Sequence, residues 1–178
     1  MHTASAHIEE LLIPVTSTTP QVGFAELYQL HSEAVFRAAL RITGRPADAE
    51  DVLQTVFLRI MSRGARGGEV EDVAQPAAYF RRAAVNAAVD VLRRRQLHAE
   101  SAYDDLAPHA AVQPPFLLKE RLRRAIATVD RDDASLFLLR HVEGLSIEEL
   151  AGMFEIEKNN VTVKLHRIRL RLQAEMER

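Results

Sequence analysis

The sequence predicts an all-α protein built of two small helical domains joined by a flexible linker. Apolar residues recur at helical spacing through most of the chain, and no segment shows the regular alternation of a strand. Residues 98–116 contain three prolines and little periodicity, which is typical of a linker. We therefore predict a tail over residues 1–22, a first domain over 23–97 and a second domain over 117–178, on either side of that linker.

Three helices are expected in the first domain. The first spans residues 24–44, where a glycine ends it. The second begins near Asp48, which is placed to cap it, and carries an apolar stripe over residues 52–60. A cluster of glycines between residues 64 and 68 ends this helix and opens a loop. The third helix starts at Pro76, spans about twenty residues and ends in three consecutive arginines.

The second domain shows equally clear helix boundaries. Apolar residues at helical spacing predict a helix over residues 118–129, and Asp130 is placed to cap the next one. Ser146 and Glu149 have the spacing of a capping box and predict the start of a short helix. After a brief polar turn, a long basic helix carries an apolar stripe over residues 161–172. The last two helices together predict a helix-turn-helix.

Length and composition limit the classes of function. The chain has 178 residues, 47% of them apolar, which suits one ordinary domain or two small ones rather than a large multidomain enzyme. It contains no cysteine, and no two of its seven histidines are three or four residues apart, so we expect no metal and no other cofactor. We also expect a cytoplasmic protein without membrane insertion, because neither a long apolar run nor a secretory signal is present.

Positive charge is concentrated in two helices of a protein whose net charge is −2. Residues 77–96 contain five arginines and one aspartate, a local charge of +4. Residues 158–173 contain five basic residues and no acid, a local charge of +5. A basic run is often only a solvated helix face, but sixteen residues without an acid favour contact with DNA.

In a helix-turn-helix the second helix fits the major groove of DNA, and its first residues contact base edges. Asparagine pairs with adenine there, and lysine or arginine pairs with guanine or phosphate. The residues of the basic helix that we expect to face DNA are Lys158, Asn159, Asn160, Thr162, Lys164 and Arg167.

Three segments resemble one family in its order and spacing. The segment HVEGLSIEELAGMFEIEKNNVTVKLHRIRLRL resembles the C-terminal promoter-reading domain of the extracytoplasmic-function (ECF) sigma factors of bacterial RNA polymerase. The segments GRPADAEDVLQTVFLRI and AYFRRAAVNAAVDVLRRR resemble the N-terminal domain of that family. The resemblance covers about residues 22–96 and 117–175. It implies a dissociable subunit that directs core RNA polymerase to promoter DNA, assists strand opening and catalyses no reaction, and it implies an inhibitory partner, an anti-sigma factor.

The resemblance assigns roles to the second predicted helix. In the family this helix binds the coiled-coil clamp of the polymerase. Helical spacing places four of the matching residues on one face. Helix capping alone also explains Asp48, and an acid is usual in the family where Thr55 stands. The residues expected to contact core polymerase are Asp48, Asp51, Gln54, Thr55 and Leu58.

The resemblance also assigns the two promoter elements. It implies that the loop over residues 63–75 and the third helix open and read the minus-10 element, and that the six residues of the basic helix read the minus-35 element. Tyr79 stands where tryptophan is usual, and Lys164 stands where arginine is typical. The residues expected to contact the minus-10 element are Arg63, Arg66, Tyr79, Arg82, Asn86, Arg93 and Arg94.

Two other functions fit the sequence less well. A stand-alone helix-turn-helix repressor would bind palindromic half-sites as a dimer, whereas two unlike basic helices on one chain favour two unlike DNA elements. A helical-bundle enzyme would need a catalytic set, and the sequence shows neither a paired acid and base, nor a Ser/His/Asp set, nor a glycine-rich phosphate loop after a strand. The promoter-specificity subunit is the interpretation that these patterns favour.

Overall fold

The structure, a computed structural model, describes residues 23–64, 75–102 and 115–177. Within these ranges every regular element is a helix, which confirms the predicted all-α class. The predicted tail, part of the glycine-containing loop and most of the linker lie outside the described residues. The helices are α1 (Phe24–Thr43), α2 (Pro46–Gly64), α3 (Pro76–Ala102), α4 (Pro115–Thr128), α5 (Arg131–His141), α6 (Ile147–Phe154) and α7 (Lys158–Glu177).

Helices α1, α2 and α3 pack against one another in all three pairings and form the first domain. Each helix contributes an apolar stripe, and on α1 Val35, Ala39 and Ile42 are almost completely buried. Phe57 of α2 and Phe80 of α3 meet in this core with their ring centroids 5.1 Å apart. The periodic apolar residues of the sequence thus became the core of the domain.

Two predicted helix boundaries were wrong. Helix α2 begins at Pro46, so Asp48 is its third residue and does not cap it. Proline suits this first position because its ring presets the helical φ angle and it has no N–H group to leave unpaired. Helix α3 continues beyond Arg95 to Ala102, because the residues from 96 to 102 include neither glycine nor proline to stop it. The first residues of the predicted linker are therefore helical.

The second domain contains the predicted helix-turn-helix. Ser146 and Glu149 form both hydrogen bonds of the capping box at the start of α6, as the sequence predicts. Glu155 ends α6 in the left-handed conformation and turns the chain into α7. Val161 and Ile168 are the buried residues that hold α7 against the rest of the domain, at 0% and 1% exposure.

The predicted cap of α5 is confirmed. Asp130 accepts hydrogen bonds at Oδ1 from the N–H groups of Asp132, at 2.8 Å, and Asp133, at 3.4 Å. These backbone bonds hold the pKa of the Asp130 carboxyl below its ordinary value. The cap therefore depends on the ionised carboxylate.

We expect Asp130→Ala to lower the free energy of unfolding by about 0.5–2 kcal/mol at pH 7, because two N–H groups lose their acceptor. Since the pKa is lower in the folded state, the wild-type advantage is complete above the unfolded-state pKa of about 3.9 and is lost as the pH falls through the folded-state pKa. Urea unfolding across the acid range measures both effects. Asp130→Asn is the control: it keeps an acceptor without a titrating group. Equal stability of wild type and Asp130→Ala at pH 7 would contradict the prediction.

The two domains pack against each other. Helix α3 of the first domain contacts α4 and α5 of the second. Arg123 of α4 donates a hydrogen bond from Nε to the carbonyl oxygen of Ile42 at the end of α1, at 2.8 Å. Its guanidinium lies directly over Gly44, which ends α1 with a φ of +72°. The absence of a Cβ atom at Gly44 therefore allows both the left-handed helix end and the close approach of Arg123 from the second domain.

We expect Gly44→Ala to lower the free energy of unfolding by about 1–2 kcal/mol or more. The left-handed conformation costs about that much for a residue with a Cβ atom, and that atom would also displace the Arg123 guanidinium. Gly152→Ala is the matched control, because Gly152 is helical and faces open space. Helix propensity predicts that this control gains about 0.5–1 kcal/mol. Thermal unfolding in which both variants shift in the same direction would refute the argument.

Candidate nucleic-acid and protein interfaces

The start of α7 presents the residues that the sequence assigns to DNA. Burial of Val161 and Ile168 fixes the rotation of the helix about its axis, so the opposite face is turned to solvent. The structure brings all six predicted residues together on the exposed part of this helix: Lys158, Asn159, Asn160, Thr162, Lys164 and Arg167.

Two lysines at the edges of this face pair with acids of the same domain. Lys158 Nζ lies 3.1 Å from Glu148 Oε1, and Lys164 Nζ lies 3.5 Å from Asp133 Oδ1. Arg171 also contacts Asp133, at 3.5 Å. The two lysine side chains are 63% and 48% exposed, and Asp133, at 18% exposure, keeps Arg171 as its partner, so a phosphate or a base edge can replace these acids at low cost.

Polar residues of α3, unlike those on the outward face of α7, contact the other domain. Arg82 donates a hydrogen bond to the carbonyl oxygen of Met153, at 2.6 Å, and its guanidinium lies 4.7 Å from the ring centre of Phe154. Ser135 of α5 donates a hydrogen bond to Asn86 Oδ1, at 2.5 Å. Arg93 donates a hydrogen bond to the carbonyl oxygen of Val129. Three of the residues predicted to contact the minus-10 element therefore contact the second domain.

The remaining residues of the predicted minus-10 set are distributed as follows. Arg94 is exposed on α3. Tyr79 is half-buried with its ring edge-on to Phe80, at a centroid distance of 5.8 Å. The backbone of Arg63 lies in the last turn of α2, and Arg66 lies outside the described residues.

Helix α2 carries the face that the sequence assigns to a protein partner. Asp51 and Gln54 are exposed, Thr55 is partly buried, and Leu58 retains 59% of its exposure. Asp48 instead forms an ion pair with Arg95 of α3. The exposed face thus combines a carboxylate and an amide with a leucine that is more than half exposed.

Comparison with known proteins identifies the family. Residues 27–98 match the family described as Sigma-70 region 2, and residues 119–172 match the family described as Sigma-70, region 4. The RNA polymerase sigma-E factor of Streptomyces coelicolor is 32% identical over 160 residues, which cover 86% of this chain and 85% of that protein. The ECF RNA polymerase sigma factor SigM of Mycobacterium tuberculosis is 29% identical over 84% of this chain and 75% of its own. The chain belongs to the ECF sigma factors.

The family membership confirms the resemblance seen in the sequence. This sigma factor directs core RNA polymerase to specific promoters in transcription initiation, and family membership favours that function over the stand-alone repressor. A solved structure of the sigma factor RpoE in complex with the anti-sigma factor NepR from Bartonella quintana aligns with a TM-score of 0.49 at 18% identity, covering 86% of this chain and 96% of that one.

Sequence reasoning missed two exposed residues of this sigma factor. His166 shares the outward face of α7 with Thr162, one turn before it. The histidines were assigned no role beyond that of possible metal ligands, although helical spacing from Thr162 places His166 on this face. Met61 is 51% exposed and lies one turn beyond Leu58 on α2, so it enlarges the apolar part of that face.

Two further features are absent from the described ranges. These ranges contain no group of three or more His, Asp or Glu side chains placed to hold a metal ion. None of the helices in these ranges is long and apolar enough to cross a membrane.

Proposed function

We propose that this sigma factor divides its work among three helices. Helix α2 binds core polymerase through Asp51, Gln54, Thr55 and Leu58, with Asp48 at the edge of the contact. Helix α3 and the loop before it contact the minus-10 element. Helix α7 reads the minus-35 element in the major groove. The protein catalyses no reaction itself and works in the cytoplasm, where core polymerase and promoter DNA are present.

The observation that carries this proposal is the contrast between two exposed helix faces. The outward face of α7 is basic and rich in amides, which suits base edges and phosphates. The exposed face of α2 has an acid beside an apolar side chain, which would repel DNA and suits a protein surface. One chain therefore offers separate surfaces to DNA and to the polymerase.

Run-off transcription on a small library of promoters tests the proposal. Core polymerase alone and core polymerase with this protein are compared on each template. We expect transcripts from a few promoters only when the protein is present. Retention of the purified protein on core polymerase is measured in parallel. No stimulation on any template, together with binding to inverted repeats as a dimer, would contradict the proposal and favour a repressor.

Family membership also supports an anti-sigma factor as a partner. Such a protein would inhibit this sigma factor by covering the exposed face of α2 or the outward face of α7. It would then compete with core polymerase for α2 or with promoter DNA for α7. A co-purified inhibitor that core polymerase displaces would support this assignment, and one that binds without affecting polymerase binding or DNA binding would oppose it.

A further inference from the structure

Two arginines of α3 donate hydrogen bonds to the second domain, at the C-terminal ends of its helices. Arg82 binds the carbonyl oxygen of Met153 in the last turn of α6. Arg93 binds the carbonyl oxygen of Val129, immediately after α4, at 2.8 Å. In the opposite direction, Arg123 of α4 binds the carbonyl oxygen of Ile42 in the last turn of α1. Three arginines thus connect the two domains through three helix ends.

Helix ends suit this use because their last carbonyl groups have no partner within the helix and carry partial negative charge. A guanidinium satisfies such a group as it would satisfy a phosphate oxygen. Arg82 and Arg93, proposed to bind promoter DNA, therefore each give a donor to a substitute for phosphate. The side-chain oxygen of Asn86 likewise accepts a hydrogen bond from the hydroxyl of Ser135.

The ion pairs around this interface can be broken at a moderate cost in free energy. Arg131 of α5 pairs with Asp90 of α3 at 2.8 Å, and both side chains remain partly exposed, at 42% and 31%. Arg131 Nε is nevertheless buried without a hydrogen-bond partner among the described residues, which disfavours the closed state. A second pair, Arg41 with Glu143 at 2.7 Å, joins α1 to the turn after α5. The Glu143 side chain is 8% exposed in this pair, and opening of the interface returns both charges to water, which offsets part of the lost contact.

We propose that this sigma factor inhibits itself: the second domain closes over α3 and occupies the residues that read the minus-10 element, while the DNA-reading face of α7 stays exposed. Promoter opening then requires that α4, α5 and α6 leave α3. This inference rests on the proposed role of α3. It assigns the closed state to the contacts of Arg82, Asn86, Arg93, Arg123 and Arg131, without any inhibitory partner.

A reversible lock tests the inference. The sequence has no cysteine, so Arg41→Cys/Glu143→Cys introduces the only two thiols, at a pair outside the proposed DNA and polymerase surfaces. A short bismaleimide linker with an internal disulfide joins them in the free protein. We expect run-off transcription with core polymerase to fall at least tenfold after cross-linking and to recover when the linker is reduced. Each single-cysteine variant, treated with the same reagent, is the control and should keep its activity.

The outcomes separate this inference from the proposed function. Full transcription by the cross-linked protein, or failure of the two thiols to cross-link in the free protein, would overturn the closed state while leaving the proposed function intact. No transcription with the wild type on any promoter would overturn the proposed function, and the inference with it. Recovery upon reduction excludes misfolding as the cause of the loss.

A second variant tests the same closure without a linker. Arg131→Ala removes the pair with Asp90 and should raise the affinity of the free protein for single-stranded minus-10 DNA several-fold. Loss of a positive charge by itself weakens DNA binding, so an increase must come from release of α3. Arg37→Ala is the control, because it removes the same charge from an exposed pair within α1. Binding by Arg131→Ala no tighter than that of the control would contradict the inference.

Discussion

Replacing Leu58 by Asp is expected to weaken binding of this sigma factor to core polymerase at least roughly tenfold, with a matching loss of promoter-directed transcription. Leu58 is 59% exposed, so the change leaves the core of the domain intact. Burial of a leucine in an interface contributes about 1.5–3 kcal/mol, and an unpaired carboxylate in its place adds a desolvation cost. The affinity for core polymerase should therefore fall while the free energy of unfolding stays within experimental error.

The matched control for this substitution is Leu30→Asp. Leu30 is an equally exposed leucine of the first domain, at 64%, and lies on α1 outside the proposed polymerase surface. It introduces the same charge and removes the same apolar group. Retention of each variant on immobilised core polymerase gives the comparison. If both variants bind as the wild type does, α2 is not the polymerase surface. If both lose binding equally, the effect comes from net charge.

Replacing Lys164 by Ala is expected to cost about 1–3 kcal/mol of affinity for the correct minus-35 element, roughly 5- to 150-fold. Lys164 lies on the exposed part of α7 beside Asn160 and Arg167. Its loss leaves Asp133 paired with Arg171, so no acid becomes unpaired. If Lys164 contacts a base, the loss should fall on the correct element and spare mismatched sequences, which the wild type already binds weakly.

The variant Arg169→Ala distinguishes the loss of a base contact from the loss of a positive charge near the DNA. Arg169 is an exposed cation of the same helix outside the six residues proposed to contact DNA, and it lines a groove with Leu118 and Phe137 of the neighbouring helices. Its removal should weaken binding to all sequences alike, as loss of a nearby charge does. The measurement is a titration of each variant against the correct and a mismatched minus-35 element at constant salt. A uniform loss for Lys164→Ala would reduce its role to a phosphate contact.

The helix-turn-helix could be predicted almost completely from the sequence because its signals are local. The capping box of Ser146 and Glu149 fixes the start of α6, and hydrogen bonds between residues three apart need no tertiary contact. The stripe from Val161 to Leu172 fixes which face of α7 is buried, and the opposite face follows from helical geometry. The cap at Asp130 is predictable for the same reason.

The two errors concerned helix ends, and in both places the polar side chains have partners far away in the sequence. Asp48 has the composition of a cap, but Pro46 starts the helix earlier and leaves the carboxylate to pair with Arg95. The three arginines at residues 93–95 suggest a helix end, because cations favour that position. Two of them instead bind carbonyl groups at the ends of α4 and α1, at 2.8 and 3.1 Å, and the helix continues past them.

The sequence by itself determined that this protein is helical, that its positive charge is concentrated on two helices, and that one of these helices has an outward polar face suited to reading DNA. All three follow from composition, periodicity and hydrogen bonds over three or four residues. Only the tertiary structure decided that Arg82, Asn86 and Arg93 are occupied by the second domain. The physical reason is that these contacts join residues 36 to 71 positions apart, whose approach depends on how whole helices pack.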